Sequence, residues 1–166
     1  MFYLLTFGAE NDKLKINKQK MPAHKVTMIA RLILERRGNI LFLAQTTKNG
    51  GKYSLVGGKV ENHEMASEAL VRESFEEAGI ELKVENLRLV HVLQRQKVNE
   101  TMIVLYFHSN KWTGEAQTRE PKKFKRVHWC PSDNLPKNIS RITKKVLVAY
   151  VKGEMFSEYD GRKKAK

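Results

Sequence analysis

Glu73, Glu76 and Glu77 stand at positions i, i+3 and i+4 of a stretch with helical periodicity. At about 100° per residue they share one narrow sector of a helix. Two carboxylates about 5 Å apart repel by roughly 3 kcal/mol at an effective dielectric near 20. A divalent cation removes that repulsion. Carboxylate oxygens with retained water are the ligands that Mg²⁺ or Mn²⁺ prefers. Taken alone, the triplet fits a solvated, glutamate-rich helix face better than a metal site.

The surrounding spacing changes that balance. Gly58 is followed by five residues and then Glu64, and seven more lead to Arg72-Glu73. Ser74, Phe75, Glu76-Glu77, Ala78, Gly79 and Ile80 complete the run. The run resembles the Nudix box, G-x5-E-x7-R-E-U-x-E-E-x-G-U with U apolar, and matches all seven fixed positions. With each fixed residue at about 6–7% of ordinary usage, a chance match in the chain is on the order of one in a million. Ser74 departs from the apolar residue usual there, and Val56 stands where proline is common. Ser74 costs one packing contact and touches no ligand position. Beyond the box, Trp112–Glu115, Glu120–Lys122, Trp129 with Asp133–Pro136, and Gly153–Glu158 are similar to the MutT-like branch of the Nudix hydrolases.

The resemblance implies a fold and a chemistry. The fold is an α/β/α sandwich with a mixed, largely antiparallel sheet between helices. Glu73, Glu76, Glu77 and the Gly57 carbonyl would hold Mg²⁺, or alternatively Mn²⁺, against a substrate diphosphate. Metal polarises phosphorus and activates water, and Glu73 or Glu77 serves as general base. Glu120 is the candidate for a further carboxylate from a loop opposite the helix. Arg72 would orient Glu73 through a charge-assisted hydrogen bond, and Glu64 would tie the loop to the helix. Lys59 is a candidate phosphate contact, with a solvated lysine as the equal alternative. Asn138 and Trp129 are candidates for binding the base. A helix-capping role for Asn138 and a core or rim place for Trp129 are the stronger alternatives. Trp112 is read in the same way. Arg95 and Lys97 fall where some subgroups carry a proline or tyrosine linked to ADP-ribose or dinucleoside polyphosphates, and so count against those substrates.

The elements that must carry these residues are legible in the periodicity. Val26–Glu35 and Ile40–Gln45 are apolar and β-branched around the turn Arg36–Asn39, a hairpin pattern. Tyr53–Val56 is a short strand running into Gly57-Gly58. Glu64–Ala78 is helical, with Met65, Ala66, Ala69, Leu70 and Phe75 as its apolar face and Gly79 as its stop. Leu87–Gln94, Thr101–His108 and Phe124–Trp129 are strand-like, and Ile139–Val151 is a second amphipathic helix. Residues 1–25 read as an extension, with Met21-Pro22 as an alternative start. Residues 26–152 form the hydrolase domain, and 153–166 form a basic tail.

Length and charge set the outer bounds. One domain fits 166 residues. The lone cysteine, Cys130, permits no internal disulfide, which favours a reducing, cytoplasmic setting. No apolar run is long enough to span a membrane, and the N-terminus lacks the basic leader of a signal peptide. Residues 57–80 carry −4, leaving +17 for the rest of a chain whose total is +13. Such a surround attracts phosphates and nucleotides, although a plain solvated surface is the commoner meaning of charge alone. A non-catalytic nucleic-acid module is the rival reading. It is not favoured, because basic and aromatic residues do not interleave as stacking surfaces require. The five histidines show no ligand spacing. Monomer and homodimer are both compatible with the sequence. The expected function is pyrophosphohydrolysis of a nucleoside-diphosphate-linked compound, foremost a (deoxy)nucleoside triphosphate. Nucleotide sugars, dinucleotides and capped RNA ends are the alternatives.

Overall fold

A computed structural model describes residues 24–162. The expected extension and the Met21-Pro22 start lie almost wholly outside them. Seven strands form one mixed sheet: β1 (Lys25–Arg36), β2 (Asn39–Gln45), β3 (Tyr53–Ser54), β4 (Arg88–Gln96), β5 (Glu100–Ser109), β6 (Phe124–Pro131) and β7 (Phe156–Asp160). Their order is β3-β2-β1-β5-β4-β7, with β6 on β2. β1 pairs in parallel with β5, and β4 with β7; the other pairings are antiparallel.

The expected hairpin exists only at its tip. β1 and β2 pair through Glu35–Ile40 and Arg36–Asn39 and then part. Into the opening runs the segment after β3. The Ala30 amide donates to Gly58 O at 2.9 Å, Leu32 to Val56 O at 3.0 Å, and the Val60 amide to Met28 O at 3.0 Å. The glycine turn is thereby held in register against the middle of the sheet.

Alternation along β1 sends Ala30, Leu32 and Leu34 to one face and Ile29 and Ile33 to the other. Helix α1 (Ala66–Ala78) covers the first face through Ala69, Leu70 and Ala78. Helix α2 (Arg141–Val151) covers the second through Val146 and Leu147. This is the expected α/β/α sandwich.

Three local expectations change. Phe75 is not on the apolar face of α1; it is 45% exposed, with the Arg119 guanidinium 4.2 Å from its ring centre. Ser74 takes the buried position, and its hydroxyl has no hydrogen-bond partner among the described residues. Within residues 153–166, expected as a tail, 156–160 form β7. They alternate between exposed and half-buried, and the strand is held by its pairing with β4, reinforced by His91. That fully buried ring bonds Glu154 O at 2.7 Å and the Ser157 hydroxyl at 2.8 Å.

Candidate active site

The box folds into a loop and a helix cross-linked by one arginine. Arg72 grips Glu64 with both arms of its fork, Nε to Oε1 at 2.9 Å and Nη2 to Oε2 at 3.1 Å. Its Nη1 donates to Glu73 at 3.1 Å and to Glu76 at 3.2 Å, and Nη2 also reaches Lys59 O at 3.3 Å. Glu64 in turn accepts from the Glu61 amide at 3.0 Å. Hydrogen bonding to Arg72 holds the Glu64 carboxyl below its usual range, and Glu64 in turn raises the arginine. Arg72 is thus bonded to Glu73, and Glu64 links the loop to the helix.

The glycines are fixed by space. Gly57 has φ +122°, and a Cβ there would overlap the Ala30 carbonyl. A Cβ on Gly58 would overlap the Glu73 carboxylate. The turn can lie between sheet and helix only without side chains.

Glu77 faces inward. It is 6% exposed, and one carboxylate oxygen accepts from the Gly57 amide at 2.9 Å. Burial pushes its pKa up to about 7; the Gly57 bond and the Arg31 charge oppose the rise, while Glu73 and Glu120 add to it. Glu120 is brought here by the segment that caps the end of α1: the Gln117 amide donates to Ala78 O at 3.0 Å and Arg119 to Glu77 O at 3.2 Å. One Glu120 oxygen pairs with Lys123 Nζ at 2.8 Å. The other is buried without a partner among the described residues.

Among the described residues no three acidic, histidine or cysteine side chains converge as a ligand set. Glu73 and Glu76 lean on Arg72, and Glu77 on the Gly57 amide. The donor set still fits a hard divalent cation. It is all oxygen, it gathers like charges, and it includes the partnerless Glu120 oxygen.

The remaining sequence candidates are placed differently. Lys59 is exposed beside the box. Asn138 does not cap α2; that role falls to Ser140, which accepts from the Thr143 amide at 3.0 Å. Asn138 instead donates to Gly51 O at 2.7 Å, and its carbonyl accepts from the Tyr53 amide at 3.0 Å, stapling the loop before β3. Trp129 stacks on Trp112, centroids 5.6 Å apart, and the Arg36 guanidinium lies 4.2 Å from its ring centre. Those contacts, and its packing against the α1-side core, occupy the ring expected to meet a base.

Arg31 was not singled out from the sequence. Its Nη1 donates to Leu55 O at 3.0 Å and also to Gly57 O, the carbonyl expected to face a metal. The available signal was a single charge in the middle of an otherwise apolar strand.

The NUDIX domain family description matches residues 23–150. A CTP pyrophosphohydrolase of Escherichia coli K12 is 32% identical over 108 residues, covering 64% of this chain and 76% of that protein. The NAD-capped RNA hydrolase NudC of Escherichia coli O1:K1 is 32% identical over 106 residues, covering 63% of this chain. The chain spans only 39% of that relative's length. A MutT NUDIX hydrolase from Burkholderia pseudomallei superimposes with a TM-score of 0.67 at 25% identity, covering 75% of this chain and 97% of that one. The chain belongs to the NUDIX domain family.

Proposed function

We propose that the protein is a divalent-metal-dependent pyrophosphohydrolase. Its foremost substrate is a (deoxy)nucleoside triphosphate, released as monophosphate and pyrophosphate. The observation that carries this reading is Glu77, a buried carboxylate beside Glu73 and Glu120 on a basic protein. Glu73, Glu76, Glu77 and the Gly57 carbonyl are the groups that would hold Mg²⁺ or Mn²⁺. When bound, the ion supplies charge neutralisation at the diphosphate and a more acidic water. Glu73 and Glu77 are both suited to take the proton of the attacking water, and Glu77 has a pKa near neutrality. Glu120 adds a carboxylate from the opposite loop. Arg72 keeps Glu73 and Glu76 in place, and Lys59 is free to meet a phosphate oxygen. Asn138 donates one N–H to the Gly51 carbonyl and keeps its Oδ1 and second N–H for a base.

The likeness to NudC supports a second reading, in which the diphosphate lies in a dinucleotide, a nucleotide sugar or a capped RNA end. A cytoplasmic setting accords with the single, buried cysteine. No helix among the described residues is long and apolar enough to cross a membrane.

The test is a panel of nucleoside triphosphates, nucleotide sugars, dinucleotides and capped oligonucleotides with Mg²⁺, read by product identity. The Glu76→Gln and Glu77→Gln variants serve as controls. Monophosphate and pyrophosphate from a triphosphate, lost in both variants, are expected. The reading fails if no diphosphate linkage is cleaved or if the variants cleave as well as the parent.

A further inference from the structure

Two arginines on the α2 side of the sheet lack an acidic partner among the described residues. Arg31 leaves β1 on the face of Ile29 and Ile33, and its register partner on β5 is Tyr106. Arg95 lies on β4 opposite Met102 of β5 and Tyr159 of β7. Met102, Val104 and Tyr106 alternate along β5 and all belong to the α2-side core. Arg31 and Arg95 therefore share one face, two strands apart.

Neither forms a salt bridge among the described residues. Arg31 is half-buried and uses Nη1 on the Leu55 and Gly57 carbonyls. The Arg95 Nε is buried without a hydrogen-bond partner, and its guanidinium lies 5.7 Å from the Tyr159 ring centre. Tyr106 between them feels both charges, which oppose the rise that burial imposes on its hydroxyl. The charge of Arg31 reaches Glu77 as well. A buried donor without an acceptor is costly, and an acceptor from outside the chain is one way to satisfy it. A guanidinium fork matches phosphate oxygens in pairs.

We propose that Arg31 and Arg95 form an anion-binding strip for the phosphate chain of the substrate, with Arg31 at the Gly57 turn and Arg95 beyond Tyr106. The strip rests on the pyrophosphohydrolase reading and narrows it. Two arginines beyond the carboxylates suit a triphosphate better than a diphosphate esterified to a neutral sugar. On meeting a phosphate oxygen, Arg31 would release the Gly57 carbonyl, the one backbone oxygen expected to face a cation.

The experiment is calorimetric binding of an α,β-methylene nucleoside triphosphate in EDTA at low ionic strength. A nucleoside-diphosphate sugar of the same base is measured in parallel. The parent should bind the triphosphate more tightly. Arg31→Met and Arg95→Gln should each weaken it about tenfold or more, the loss expected for a hydrogen bond to a charged group. Both should affect the sugar less, and Arg31→Lys should fall between. If Arg31→Met does not fold, Arg31→Lys and Arg95→Gln decide. The proposal is overturned if the parent binds no triphosphate without metal, if the folded variants bind like the parent, or if triphosphate and sugar lose equally. Because EDTA silences metal-dependent turnover, the outcome is separate from the activity: binding that follows the arginines would stand even if no linkage in the panel were cleaved.

Discussion

Along the outer edge of the last turns of α1, Glu64, Glu73 and Glu76 converge on Arg72, each within 3.2 Å of its fork. Along the inner edge, Glu77 has the Gly57 amide at 2.9 Å, while Glu120 keeps one oxygen on Lys123 and the other without a hydrogen-bond partner among the described residues. The residue types are the same and the surroundings differ. The outer carboxylates share one arginine, four residues or fewer away on the helix for Glu73 and Glu76 and reached across the loop for Glu64. Those contacts hold the box in shape. Glu77 is buried within reach of the Arg31 charge, and the half-buried Glu120 pairs with Lys123 while its second oxygen is buried without a hydrogen-bond partner among the described residues. The motif thus joins a brace, Arg72 with Glu64, Glu73 and Glu76, to a buried carboxylate, Glu77, and in the proposed reading Glu73, Glu76 and Glu77 share one cation.

The sharpest way to break this comparison is pH. Glu77 titrates near 7 in the folded protein against an ordinary 4.5. The fold thus favours its protonated form. The corresponding stability is fully present below about pH 4.5 and is lost as pH rises through 7. The gap amounts to about 3 kcal/mol. In chelator, chemical denaturation of the parent should therefore weaken between pH 5 and 8. Glu77→Gln should lack that slope, and an unchanged slope would remove Glu77 as its source.

Next in size is the brace. Arg72→Met strips the partner from three carboxylates and should lower stability by about 1–3 kcal/mol, the range for hydrogen bonds to charged groups. Arg72→Lys should recover little, because a point charge cannot replace the fork. Equal melting temperatures for Arg72→Lys and the parent would show that charge alone suffices. The smallest effect belongs to Ser74, whose buried hydroxyl is unpartnered. Ser74→Ala should raise stability by about 1 kcal/mol or less. A loss in urea denaturation would mean that packing outweighs the lone hydroxyl.

The brace was legible in the sequence because it is local: fixed spacing on one helix places Arg72 beside Glu73 and Glu76, and a short loop returns Glu64. Gly57 and Gly58 were legible for the same reason. The inner edge was only partly so. Glu120 was reached through resemblance to a family, since no spacing links residue 120 to the helix. Its place depends on the 117–119 amides capping α1. Arg31 was missed because only the parting of β1 from β2 brings the glycine turn under it. Asn138 and Trp129 are residue types suited to a base, yet tertiary contacts with Gly51, Trp112 and Arg36 engage them. β7 escaped because its partner strand lies some sixty residues earlier in the chain.

In the proposed reading a divalent cation balances the carboxylates around Glu77. Thermal unfolding of the parent and of Glu77→Gln across a Mn²⁺ titration tests it most directly, since a ligand bound only by the folded state raises the melting temperature. The account predicts a concentration-dependent rise in the parent that is largely lost in Glu77→Gln. An equal rise in both proteins, or none in the parent, would contradict it.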